Sequence, residues 1–107
     1  MPKRTRDYEE DFVEKLKDAE FAVAYLNASL EDNDEGSDER FLMALRQVAQ
    51  VHGMTSVAEN SGITRPALYR ALSGSGNPEF LTLRALLDSL GLKLLVERRV
   101  DYIDRAS

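Results

Sequence analysis

The sequence predicts an all-α fold of five to six helices, closed by a C-terminal segment of strand character. Three observations predict it. Apolar residues recur at helical spacing through most of the chain between Tyr8 and Leu90. Glycine, proline and short polar runs break that pattern into separate segments. Alternation of period two occurs once, after Gly91. A length of 107 residues fits one small domain with an appendage, and 43% hydrophobic with 31% charged residues is ordinary globular composition.

Residues 1–7 read as a frayed polar arm. Tyr8, Phe12, Val13 and Leu16 follow at spacings that predict a helix. Asp18 is placed to cap a second helix, with Ala19, Ala22, Val23, Leu26 and Leu30 on one stripe and Phe21 and Tyr25 beside it. The run Glu31-Asp32-Asn33-Asp34-Glu35-Gly36 is a polar linker. A third helix opens at Ser37 or Asp38, carries Phe41, Leu42, Leu45, Val48, Ala49 and His52 as its apolar set, and stops at Gly53.

Two short helices come next. Thr55 is expected to cap Ser56–Asn60, and Thr64 to cap Arg65–Leu72, with Gly62 as the turn between them. Pro66 sits in the first turn of the second, where its missing N–H costs little. Ser73–Pro78 breaks the chain, and a last helix runs from about Glu79 to Leu90 on Phe80, Leu83, Leu86, Leu87 and Leu90, ended by Gly91. Leu92, Leu94 and Val96 then alternate with Lys93, Leu95 and Glu97. A single strand cannot form a sheet alone. It pairs with a copy of itself across a two-fold axis, making Leu92, Leu94 and Val96 a dimer contact, or accepts a strand from a partner protein, or packs as an irregular tail. The implied division is an acidic helical region over 1–35, a second region over 36–100 and a polar tail over 101–107.

The net charge of −5 conceals a polarity. Residues 1–39 hold 5 basic and 13 acidic groups, whereas residues 40–107 hold 9 basic and 6 acidic groups. An acidic front and a mildly basic back suggest two different partners, against the alternative of a merely solvated acidic face. Other classes are excluded by what is missing. No apolar run approaches the roughly 18 residues of a membrane span, and no apolar stretch follows the basic N-terminal residues, so neither a membrane segment nor a secretory leader is expected. The sequence has no cysteine and one histidine, His52, and lacks a phosphate-cradling glycine loop and the HExxH pattern. An enzyme, a metal site and a cofactor are not expected, and a cytoplasmic location is.

The informative stretch is Met54–Ser73, which reads as helix, turn, helix. Ala58, Gly62, Ile63, Leu68 and Leu72 have the spacing of the packing residues of a DNA-binding helix-turn-helix. Thr64, Arg65, Pro66, Ala67, Tyr69 and Arg70 fall on the outward side of the second helix in this register. Arg65 and Arg70 suit guanine edges or phosphates, Thr64 a phosphate or base, and Ala67 a thymine methyl. Tyr69 is placed either to donate to phosphate or to serve as half core. Ser73 and Asn77 follow, placed for the sugar-phosphate backbone. No acidic residue lies between Ile63 and Pro78.

Leu45–Pro78, with Gly53-Met54-Thr55, Ala58, Gly62, Leu68-Tyr69-Arg70-Ala71-Leu72-Ser73 and Gly76-Asn77-Pro78, resembles the addiction-module antidote proteins of the HigA-like group, antitoxins with a Cro/C1-type helix-turn-helix. The likeness extends to Tyr25–Asp32 upstream and Leu90–Leu94 downstream, and departs at Ser37-Asp38-Glu39-Arg40, where a more apolar helix start is expected. The resemblance implies a small all-helical, lambda-repressor-like repressor of its own operon with a basic RelE/ParE-superfamily toxin as partner; the homodimer is expected from the C-terminal strand and from two recognition helices reading an inverted repeat. An acidic surface complements such a toxin. On this reading Glu9, Glu10 and Glu14, with Asp7, Asp11, Asp18 and Glu20 beside them, face the toxin, and Phe12, Phe21 and Tyr25 are either anchors for it or core residues. The alternative is a stand-alone Cro/C1-type regulator without a toxin.

Overall fold

The computed structural model describes residues 5–31 and 34–100, so residues 1–4, the linker residues Asp32 and Asn33 and the tail 101–107 lie outside the described residues, while residues 5–7, expected in the polar arm, are already helical. Six helices follow one another: α1 (Thr5–Leu16), α2 (Ala19–Glu31), α3 (Ser37–His52), α4 (Met54–Ser61), α5 (Arg65–Ala71) and α6 (Phe80–Ser89). α3 is the central element. It packs against α1, α2 and α4, while α4 carries α5 and α6.

The reason lies in its sequence. Phe41, Leu42, Ala44, Leu45, Val48 and Ala49 are all buried, a stripe of period near 3.6 and wide enough to meet neighbours on more than one side. Around it the fully buried Val57, Leu68, Leu72 and Leu86 close the core from α4, α5, the end of α5 and α6. No polar or charged residue is buried among the described residues. None of the described helices is long and apolar enough to cross a membrane.

Local chemistry sets most of the boundaries. Asp18 caps α2 as expected, its Oδ1 accepting from the Glu20 N–H at 3.1 Å. α3 opens at Ser37 as expected; Gly36 precedes it in the cap position with φ 91°, and no side chain bonds there. α4 begins two residues before the expected start, with Gly53 before it, because the buried Met54 belongs to the core. Thr55 therefore lies inside the first turn and is not a cap.

Several expected apolar positions are exposed, among them Tyr8 and Val13 of α1 and Ala19 at the start of α2. Val23 and Leu30 are 40% and 52% exposed, since α2 is turned to bury Ala22 and Leu26 and to half-bury Phe21 and Tyr25. Phe80, at the first turn of α6, is 62% exposed. His52, expected in the apolar set of α3, is exposed in its last turn.

α6 ends in a Schellman turn. The Leu92 N–H donates to the Leu87 carbonyl at 2.8 Å and the Gly91 N–H to Asp88 at 3.0 Å, with Gly91 left-handed at φ 75°. The expected strand over 92–100 is not formed: these residues are neither helix nor paired strand, and there is no strand elsewhere among the described residues. A ladder needs a second strand, and the single chain offers none.

Candidate functional site

The Met54–Ser73 segment forms two short helices joined at a sharp bend. Gly62 ends α4 with φ 76° and ψ 12°, a left-handed conformation that costs a side-chain-bearing residue more than glycine. Its N–H donates to the Ala58 carbonyl at 3.0 Å. Ser61 braces the same bend, accepting from the Ile63 N–H at 3.2 Å. Thr64 then starts α5 from an extended backbone, and its Oγ1 accepts from the Ala67 N–H at 3.3 Å. The bend is thus held on both sides by side chains, by the expected cap Thr64 and by Ser61, which the sequence reading did not single out.

The inner side of the motif is as the spacing implies. Leu68 and Leu72 are fully buried, and Ala58 and Ile63 are half-buried against the core. Gly76 adds a constraint that periodicity does not carry. A Cβ there would lie 2.4 Å from the Ala71 carbonyl oxygen and 2.9 Å from that of Arg70. The loop after α5 folds back onto the helix end, and only glycine fits so near the carbonyls.

The outer side presents Thr64, Arg65, Pro66 and Arg70 to solvent, with Ala67 half-exposed beside them. Tyr69 is half core: its ring packs on the hydrophobic cluster, and the Arg46 guanidinium lies 5.1 Å from the ring centroid. Arg46 is a cation of this surface that the sequence reading missed. It comes from α3, and only the tertiary packing brings it to α5. Ser73 donates its hydroxyl to the Arg70 carbonyl at 3.0 Å, finishing the helix end. Asn77 is exposed, but it lines a groove with Asp38 and Glu39, so carboxylates stand near it.

A second surface lies on α1. Glu9, Glu10, Asp11 and Glu14 are exposed around Val13. Glu14 pairs with Lys17 at 2.8 Å. Asp18 and Glu20 are exposed at the start of α2; the side chain of Asp7 lies outside the described residues. The three aromatic residues grouped with these acids are engaged within the chain. Phe12 meets Phe21 and Tyr25 edge-on, with centroids 6.1 Å and 5.1 Å apart, and the Tyr25 hydroxyl donates to Gln47 of α3. They fasten α1 to α2 and α3. Beside them a shallow apolar groove runs along Phe12, Val13, Leu16 and Val51, with Glu9 at its rim.

The two surfaces sit on different elements. Arg65 and Arg70 project from α5, which is carried by α4, and the acids project from α1, which is carried by α2 and α3. Among the described residues no cluster of His, Cys, Asp and Glu has the arrangement of a metal site.

Comparison with known proteins matches residues 7–98 to the model of a family described as probable addiction module antidote protein. An uncharacterized protein of Haemophilus influenzae is 36% identical over 98 residues, covering 92% of this chain and 96% of its own length. No solved structure matches.

Proposed function

Because this chain belongs to the probable addiction module antidote family, we propose that it is an antitoxin with two working surfaces, one for a toxin and one for DNA. The α1 surface captures a small basic toxin of the RelE/ParE superfamily. The α4–α5 unit is a Cro/C1-type helix-turn-helix that binds the operator of the protein's own operon. The observation that carries the DNA half is the two-sidedness of α5: Leu68 is sealed in the core while Arg65 and Arg70 stand in solvent. A helix anchored that way is free to enter a major groove, where arginine reads guanine edges and phosphates hold the register. Arg46, beside Tyr69, supplies a further phosphate contact.

The toxin half is supported by charge. A toxin that acts on RNA is basic, and acids exposed on α1 raise its capture rate and select it by sign. Val13 and the groove along Phe12 and Leu16 offer it apolar area next to those acids. As a repressor the protein works as a homodimer. Two α5 helices about 34 Å apart read an inverted repeat.

The test pairs two assays on the native chain. Gel shifts on the DNA upstream of its own gene are expected to show a salt-sensitive specific complex. Co-expression with the neighbouring small basic gene product is expected to relieve growth arrest and to yield a co-purifying complex. Absence of both the complex and the relief overturns the antitoxin reading, and a shift no stronger than on unrelated DNA overturns the operator half.

A further inference from the structure

The segment after α6 leaves the body of the protein by degrees. Leu92 is half-buried under the Schellman turn, and Leu94 is 40% exposed against grooves that include Leu30 and Phe41. Leu95 is 76% exposed and Val96 is 99% exposed. Among the described residues, no backbone hydrogen bond reaches residues 93–97. Apolar side chains on an unpaired backbone are what an uncompleted ribbon presents.

We infer that Lys93–Glu97 forms an antiparallel two-stranded ribbon with a second copy of the chain, centred on Leu95. The inference rests on the dimeric reading above and specifies its interface. Directly opposed residues of an antiparallel pair share a face. A two-fold axis perpendicular to the ribbon therefore passes between two copies of one residue. The sequence discriminates among the choices. Centred on Leu95, the register sets Leu94 against the partner's Val96 and Lys93 against the partner's Glu97, each pair occurring twice. Centred on Val96, it sets Lys93 against an arginine, and centred on Glu97 or Arg98 it opposes like charges at the axis. Centred on Leu94, it sets Lys93 against a leucine and leaves Glu97 without a cation opposite.

The same register resolves the exposure gradient. Leu92, Leu94 and Val96 share the inward face, and Val96 has run past the end of its own domain. Pairing delivers it to the partner's Leu94, where the partner's groove between Val23, Leu30 and Phe41 continues. Lys93, Leu95 and Glu97 form the outer face. A second copy is favoured over a strand of another protein because the complementarity in charge and apolarity is internal to this one segment.

Cysteine scanning of the full chain tests the register. Leu95→Cys is expected to give a covalent dimer on mild oxidation. Val96→Cys is not, since its two copies are diagonal neighbours, about 7–8 Å apart, beyond disulfide reach. Charge reversal supplies an independent readout by sedimentation. Lys93→Glu and Glu97→Lys should each weaken the dimer about tenfold, and the double variant should restore it. Circular dichroism confirms that each variant folds. Cross-linking at Val96 in preference to Leu95, reversal without rescue, or a monomer at all concentrations overturns the ribbon. So does a Leu95→Cys cross-link formed to the toxin alone. Toxin neutralisation is measured on the same variants: its absence while the covalent dimer forms refutes the antitoxin reading and leaves the ribbon standing.

Discussion

Replacing Gly62 by valine isolates the bend that presents α5. The glycine has φ 76°, and a Cβ built there meets nothing within 4 Å, so there is no clash to relieve and the penalty is backbone strain alone. Placing an ordinary L-residue in the left-handed region costs about 1–2 kcal/mol, and a β-branched one sits at the upper end or above. Removing glycine also stiffens the unfolded chain, which offsets about 0.4–1 kcal/mol. The net destabilisation for valine is therefore about 1–1.5 kcal/mol, a fall in Tm of roughly 5–10 °C for a domain of this size. Asparagine tolerates the same φ and should lie within about 0.5 kcal/mol of the native chain, with alanine between the two. Urea and thermal melts followed by circular dichroism measure the series. Valine within about 0.3 kcal/mol of glycine, or asparagine as damaging as valine, refutes the argument, because strain at φ requires the stated order.

Other expectations concern the two surfaces and the neighbouring loop. Gly76→Ala should cost about 1–3 kcal/mol by a different route, overlap with the Ala71 and Arg70 carbonyls, and asparagine at the same site should not rescue it in a urea melt. Arg65→Ala with Arg70→Ala should lower operator affinity by at least about tenfold in gel shifts while toxin neutralisation persists; joint loss of both activities in a folded protein contradicts the separation of surfaces. Glu9→Lys with Glu10→Lys should slow toxin association, most strongly at low salt, in stopped-flow or biosensor traces, and leave operator binding intact. Bound toxin should tighten the operator complex by offsetting the acids of α1, and equal gel-shift affinity with and without toxin rejects that coupling.

The fold was legible wherever a local rule decided it. Six helical segments, the Asp18 and Thr64 caps and the turn at Gly62 all depend on residues close in sequence, and the caps and the turn are where sequence rules place them. Boundaries moved where the core overrode a cap: Met54 is drawn inward, and α4 starts before Thr55 could cap it. The stripe on α2 was read too broadly because Val23 and Ala22 are neighbours on the helix, and only the packing of Phe21 and Tyr25 on Phe12 decides which one is buried. At the candidate site, the outward arginines follow from register alone, whereas Arg46 over Tyr69 and the close approach of Gly76 depend on contacts between separate elements. No pattern within α3 announces that Arg46 will stand beside α5.

The helix α1 shows how one short element can hold a fold and still offer a surface. A lone helix of 12 residues is marginal in water, so its order depends on what it packs against. Phe12 and Leu16 supply that packing, reaching Phe21, Tyr25 and the core, and they leave Glu9, Glu10 and Asp11 outward by the geometry of 3.6 residues per turn. Glu14 is paired with Lys17 at 2.8 Å, and such exposed pairs contribute little to holding α1 in place, while like charges three or four residues apart work against it. On the proposed function, opposite charge from a basic toxin seated on α1 removes that repulsion and adds attraction, so α1 is expected to gain stability in the complex. The aromatic contacts and the acidic face are thus coupled: weakening Phe12 loosens the platform on which the acids are displayed.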